Sequence, residues 1–303
     1  TYVRSFNQPI SMIAQNMNVL QSTAAAAERV FEFLGEEEEV AECAHPVEIF
    51  DAQGNTSIQG QVTFENVHFG YTPDKIIIHD FSMYIKPGKK IAIVGPTGAG
   101  KTTIIKLLMR FYELNSGAIY IDGIKTTDMR RKDLRSLFGM VLQDAWLFNG
   151  TVMENLRYGK LDATDEEVIR AADAAYVDHF IRTLDHGYDT VINEESSNIS
   201  QGQKQLLTIA RAFLADPKIL ILDEATSSVD TRTEVLIQKG MDKLMENRTS
   251  FVIAHRLSTI RDADLILVMK DGDIVEAGNH EELMQADGFY TQLYNSQFDA
   301  EEE

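Results

Sequence analysis

Residues 91–103 read Ile-Ala-Ile-Val-Gly-Pro-Thr-Gly-Ala-Gly-Lys-Thr-Thr, and this stretch constrains the chain more than any other. The apolar run Ile91–Val94 predicts a buried strand. Gly95, Pro96, Thr97, Gly98, Ala99, Gly100, Lys101 and Thr102 spell G-x-x-x-x-G-K-T, and from Thr103 onward Ile104, Leu107 and Leu108 recur at helical spacing. Strand, glycine-rich loop and helix form the context in which this pattern cradles phosphates. The glycines let successive N–H groups turn into one concavity, and the helix behind adds the positive end of its dipole. Lys101 is expected to reach the β- and γ-phosphates and Thr102 to ligate Mg²⁺. The pattern predicts binding of a nucleoside triphosphate.

The segments around this loop predict its scaffold. Val62 and Phe64 alternate, then Val67 and Phe69 resume after a slip; Phe81, Met83 and Ile85, and Ile119 and Ile121, alternate likewise. These are strands of an antiparallel layer. Residues 128–190 turn helical, with a capping box at Thr164-Asp-Glu-Glu167. Ile219–Leu222, Phe251–Ala254 and Leu265–Met269 are fully apolar runs, the last turning at Asp271-Gly272 into a hairpin. Apolar strands alternating with helices predict a mainly parallel sheet covered on both faces, whose ligands sit at the carboxyl ends of the strands. Gly95, Asp223 and His255 all fall at such ends.

Phe6, Ile10, Ile13, Met17, Leu20, Ala24, Ala27, Phe31 and Leu34 step by four and three. That spacing predicts one long helix with a narrow apolar seam, about 37 Å from Ile10 to Leu34, with Pro9 near its start or at a kink. A surface amphipathic helix and a helix packed in a bundle that extends from a membrane both fit. Its other faces are too polar for lipid. Gly35 stops it, and Glu36–Glu39 begins a solvated linker that continues as a loop to residue 59. Charge follows this division. Of the net −19, residues 1–59 carry −7, residues 299–303 carry −4, and the rest −8. An acidic surface disfavours nucleic acid as a partner. A single cysteine, Cys43, leaves no internal disulfide or cysteine-based zinc site and fits a reducing compartment.

Asp223 and Glu224 follow an apolar strand. The first can hold Mg²⁺ and the second can orient or deprotonate water; two exposed acids at a strand end are the bland alternative. His255 can contact a γ-phosphate or be a satisfied core histidine. Gln143, after Met140–Leu142, can ligate Mg²⁺ or position water. Ser200-Gln201-Gly202-Gln203 precedes a helix over Lys204–Leu214, with Ser200 as N-cap; it is either a cap alone or a second phosphate-facing helix start.

Taken in order, these motifs resemble the nucleotide-binding domain of ATP-binding cassette (ABC) proteins: GPTGAGKT (95–102), a Q-loop at VLQD (141–144), a signature at ISQGQ (199–203), ILILDEATS (219–227), a D-loop at SSVD (227–230) and a switch histidine at IAHR (253–256). The resemblance covers residues 60–298. It implies an α/β P-loop NTPase with a RecA/F1-like core, an antiparallel β-subdomain and a helical subdomain over roughly 131–215, preceded by the long helix. It also implies ATP and Mg²⁺ as ligands, with Thr102, Gln143 and Asp223 toward the metal and Glu224, His255 and Gln143 in catalysis. Tyr71 would stack on adenine, with Phe69 the nearby competitor. Family members sandwich two ATP molecules between two domains, so Ser200, Gln201, Gly202 and Gln203 would serve a partner's ATP, with Asp230 in the D-loop. Glu194 matches the acidic position of the exporter X-loop.

Residues 1–35 resemble the cytoplasmic end of the last transmembrane helix of ABC exporters. The organisation expected is therefore 1–35 helix end, 36–59 acidic linker, 60–298 nucleotide-binding domain and 299–303 acidic tail. A chain of this kind is expected to be half of a multidrug- or lipid-type exporter in the cell membrane, its ATP-binding part on the cytoplasmic side and its membrane domain upstream. A soluble ATP-driven clamp is the alternative. Gln201 stands where the family usually has glycine, while Lys101, Glu224 and His255 are intact. That asymmetry leads to the expectation of a non-identical partner half.

Overall fold

The computed structural model describes residues 2–72, 75–142, 145–192, 199–223, 229–253 and 257–298. The chain divides into two units, residues 1–41 and 42–303. The first unit is essentially α1 (Tyr2–Leu34), which starts four residues before the apolar seam does and carries Pro9 inside rather than at its start. Its seam residues Phe6, Ile13, Met17 and Phe31 are exposed. Among the described residues no helix is long and apolar enough to cross a membrane.

In the second unit the chain runs β1 (Val62–Thr72), β2 (Lys75–Ile85), β3 (Lys90–Val94), α2 (Lys101–Leu108), β4 (Ser116–Ile121), β5 (Ile124–Lys125), α3 (Arg131–Ser136) and β6 (Phe138–Val141). It continues through β7 (Gly150–Thr151), α4 (Val152–Arg157), α5 (Asp165–Ala174), α6 (Asp178–Thr183), β8 (Val191–Ile192), α7 (Gln201–Ala215), β9 (Ile219–Asp223) and α8 (Thr231–Met245). The last elements are β10 (Thr249–Ile253), α9 (Leu257–Arg261), β11 (Leu265–Lys270), β12 (Asp273–Gly278), α10 (His280–Gln285) and α11 (Phe289–Phe298).

The central sheet has the order β12-β11-β3-β10-β9-β6, parallel throughout except for the edge strand β12. Its apolar strands serve two cores at once. Ile91, Ile93, Ile219, Ile221, Phe251 and Leu267 join a core with Val62, Phe64 and Ile104. Ala92, Val94, Leu220, Leu222, Val252 and Ile266 join the other, with Val168, Leu206 and Ile237. Period two splits each strand between these faces, so a strand buried on both sides reads as unbroken hydrophobic sequence. Each fully buried Ile, Leu or Phe contributes about 1.5–3 kcal/mol.

A second, antiparallel sheet has the order β2-β1-β4-β5. The slip in the β1 alternation is a register shift between Phe64 and Val67, where Asn66 takes a φ of +46°. Helices α4, α5 and α8 pack around α7. The Thr164–Glu167 capping box is present, and equivalent boxes at Thr151/Glu154 and Asn279/Glu282 start α4 and α10.

The segment before β1 has no helix or strand, as expected of a loop, yet part of it belongs to the domain core. Ile49 and Ile58 are buried. The Arg131 N–H, at the start of α3, donates to the Glu42 carboxylate at 2.8 Å, and Val47 N–H donates to the Asp128 carbonyl at 2.8 Å. Neither isoleucine belongs to an apolar pattern long enough to predict an element, so burial here is set by the neighbouring sheet. Cys43 is exposed.

Candidate nucleotide site

The loop after β3 is shaped by glycine. Gly95 has a φ of +150°, and a Cβ there would lie 2.2 Å from the Met269 carbonyl oxygen of β11. Gly100 caps α2 in the left-handed region at φ +99°, with no side chain capping the helix start. The first amides of α2 have no acceptor within the helix and form, with the dipole, the positive end of the site. Lys101 Nζ donates to the carbonyls of Gly95 at 2.6 Å and Pro96 at 3.0 Å, so the ammonium is folded back over the loop. Burial holds its pKa below the usual lysine value, and the carboxylate of Asp223 works against that shift.

A cavity of about 470 Å³ opens here, lined by Gly98, Lys101, Thr102, Thr103, Tyr71 and Asp223, with Lys75, Ile77 and Ile253 at its walls. Register explains why Asp223 is present. β9 and β10 pair in parallel with Ile253 opposite Asp223, and β10 pairs with β3 with Ile253 opposite Ile93, so the three strand ends are level. A larger cavity of about 560 Å³ lies at α5, α6 and α8. Among the described residues its lining holds no glycine and no lysine, so chemistry and not volume selects the first.

Tyr71 is 46% exposed and its hydroxyl lies 3.2 Å from Thr103 Oγ1, whereas Phe69 is only 4% exposed. Of the two aromatics, Tyr71 is the one with a face open to a ligand. Lys75 and Ile77 carry no signal in the sequence: they open β2, where nothing in the run Lys-Ile-Ile-Ile distinguishes a cavity wall from an ordinary strand.

Ser200 is the N-cap of α7 in a capping box with Gln203: Ser200 N–H donates to Gln203 Oε1 at 2.9 Å, and Gln203 N–H to Ser200 Oγ at 3.3 Å. The helix therefore begins at Gln201, not Lys204, because the S-x-x-Q pair satisfies the helix start three residues earlier. Gln201 is exposed in ordinary helical backbone, so this position requires no positive φ. Gly202 is buried. Among the described residues these four do not line the 470 Å³ cavity. Asp230 caps α8 by accepting the Thr233 N–H at 3.0 Å, which holds its carboxyl below the usual range. Gln143, Glu194, Glu224 and His255 lie outside the described residues.

Comparison with known proteins agrees with this geometry. The family model described as "ABC transporter" matches residues 78–227. The chain is 54% identical over 292 residues to a fatty acid ABC transporter ATP-binding/permease protein of Mycobacterium bovis, covering 96% of this chain and 45% of that protein. It is 43% identical over 297 residues to a putative multidrug export ATP-binding/permease protein of Bacillus subtilis, covering 98% and 50%. The solved structure of a bacterial Atm1-family ABC exporter with ATP bound superposes with a TM-score of 0.79 at 39% identity, covering 96% of this chain and 50% of that one. The chain thus spans about half the length of these relatives. This chain has a glycine-shaped phosphate loop on a mainly parallel sheet, an antiparallel sheet and helices packed around α7, and with these matches it belongs to the ABC transporter family, of which it carries the nucleotide-binding ATPase domain.

Proposed function

We propose that this chain binds and hydrolyses MgATP as the ATP-binding part of an exporter half, and that the energy drives substrate across a membrane. The observation that carries the reading is the cradle itself: glycine-shaped backbone, an uncapped helix start and the Lys101 ammonium converge on one cavity with Asp223 on its wall. The permease and export names of the relatives weigh against a soluble clamp.

The site suits Mg²⁺ by its donor chemistry. The Thr102 hydroxyl and the Asp223 carboxylate are hard oxygen donors at the cavity, and Gln143 follows β6 in sequence. Among the described residues no cluster of three or more His, Cys, Asp or Glu side chains makes a closed cage. That fits an ion that draws most of its ligands from phosphate and water. When bound, Mg²⁺ neutralises charge on the β- and γ-oxygens.

Each residue then has one task. Lys101 leaves the Gly95 and Pro96 carbonyls for the β/γ-phosphates, and Tyr71 offers a flat face to adenine. Glu224, next after Asp223, takes a proton from the attacking water, and His255 contacts the γ-phosphate. Ser200 and Gly202 serve the ATP of a second half-transporter, and Asp230 holds the loop between. Residues 1–35 continue a membrane domain upstream, with this domain on the cytoplasmic side and no nucleic acid as partner.

Gln201 supports a non-identical partner half. Its backbone is ordinary helix, so the argument rests on side-chain bulk at the phosphate-facing end of α7. The test of the whole reading is Glu224→Gln in the full-length transporter. ATP binding should persist while turnover falls by about 10² or more; hydrolysis at the parent rate would remove Glu224 from the mechanism.

A further inference from the structure

Tyr71 does not stand alone. Its ring meets Phe69 edge to face at 5.0 Å and 83°, and meets Tyr112 edge to face at 5.0 Å and 86°. Phe69 and Tyr112 are themselves 5.6 Å apart. The three rings form a triangle that joins β1 to the segment after α2. Its lower corner, Phe69, is buried, and the hydroxyl of Tyr71 is tied to Thr103 Oγ1 at 3.2 Å. Tyr112 is not among the described residues that line the 470 Å³ cavity, whereas Tyr71 and Thr103 are.

A half-exposed tyrosine at the end of a strand is free to turn about its side-chain bonds, and a base must immobilise it on binding. Two perpendicular neighbours fix both the direction and the plane of the ring beforehand, because edge-to-face contact is lost when either ring rotates. Phe69 is two residues from Tyr71 on the same strand. Tyr112 comes from the far side of the phosphate loop, after α2, and so ties the ring to the element that holds the phosphates. Lys106 of α2 lies 5.8 Å over the Tyr71 ring and adds a second link of the same kind. We propose that Tyr112 is a positioning residue for nucleotide-base stacking, holding the Tyr71 ring edge-to-face so that it presents a preset plane to the base. This rests on the stacking role given to Tyr71 above.

The test uses the full 303-residue chain and measures affinity for MgATP and for inorganic tripolyphosphate, which has no base. An edge-to-face pair corresponds to roughly a 2- to 10-fold effect. Tyr112→Leu should weaken MgATP by that factor and leave tripolyphosphate unchanged, and Tyr112→Phe should restore the parent value, since the ring and not its hydroxyl makes the contact. Equal loss for both ligands would mean a damaged phosphate loop and overturn the inference, as would Tyr112→Leu behaving like the parent or Tyr112→Phe failing like Tyr112→Leu. Tyr71→Ala separates the two layers of the argument. If it weakens MgATP and Tyr112→Leu does not, positioning alone is wrong; if Tyr71→Ala has no effect, the stacking role beneath it is wrong as well.

Discussion

Gly202→Ala should destabilise the domain even with no nucleotide present. Gly202 is the second residue of α7, buried where α7 meets α8. An added Cβ would lie 2.6 Å from Thr233 Cγ2 and 2.7 Å from Val229 Cγ1, well inside contact distance. Both neighbours are β-branched and stiff about their first side-chain bond, so neither methyl can simply swing away. Forcing a methyl into a filled site costs about 1–3 kcal/mol. Alanine returns part of this, because replacing glycine in a helix gains roughly 0.5–1 kcal/mol. At the middle of both ranges overpacking wins by about 1 kcal/mol, a fall in melting temperature of roughly 2–5 °C for a domain of this size. Calorimetry or urea unfolding of nucleotide-free protein measures it. The second half of the test is compensation. Thr233→Ser removes one clashing methyl and keeps the hydroxyl and the backbone bond to Asp230, so the double variant should regain part of the loss as a coupling energy. An unchanged midpoint for Gly202→Ala, or simple additivity with Thr233→Ser, would refute the packing argument. The glycine would then be required only by what approaches α7 from outside this chain.

Lys101→Ala should weaken MgATP roughly 10- to 100-fold, the scale of a charge-assisted bond of about 1.5–3 kcal/mol, and unchanged affinity by titration calorimetry would count against the phosphate-loop assignment. Thr249 is fully buried and its hydroxyl donates to the Gly60 carbonyl at 2.7 Å and accepts from the Gly88 N–H at 3.0 Å. Thr249→Val takes the donor from the Gly60 carbonyl, in a buried residue, while the N–H of exposed Gly88 can turn to water; it should cost about 1–3 kcal/mol in urea unfolding, whereas Thr249→Ser should cost far less. Asp178 is held below the usual carboxylate range, first by the Arg182 guanidinium, and also accepts the Tyr188 hydroxyl. A carboxyl lowered in the folded state contributes stability that is present above the ordinary pKa near 4 and lost as pH falls through the lowered one. Asp178→Asn should therefore flatten the acid limb of the urea midpoint below about pH 4 and leave its slope near neutral pH unchanged.

Local pattern was enough wherever neighbours in sequence are also neighbours in space. The phosphate loop, its strand and its helix are contiguous, so G-x-x-x-x-G-K-T is complete in the sequence. The same holds for the Thr164 capping box and the Asp271-Gly272 hairpin, each closed by contacts a few residues apart. Fully apolar strands likewise announced a sheet buried on both faces, because both alternating sets had to be hydrophobic. Ser200 is legible as the N-cap of α7, yet apolar periodicity alone dates the helix from Lys204, three residues after its observed start at Gln201, because Gln201, Gly202 and Gln203 carry no apolar signal.

What depends on distant contacts was settled only by the tertiary structure. Ile49 and Ile58 carry no pattern of their own, and their burial comes from the sheet that the segment lies against. Asp223 reaches the phosphate loop because β9, β10 and β3 end level, a fact of register that no single strand contains. Tyr71 rather than Phe69 faces the cavity because the strand buries one ring and exposes the other. Tyr112 meets them from across α2, 41 positions along the chain from Tyr71. Glycine at 202 has the same origin: the space it leaves is occupied by side chains of α8 and its approach, and a residue's need to be small is written in its neighbours.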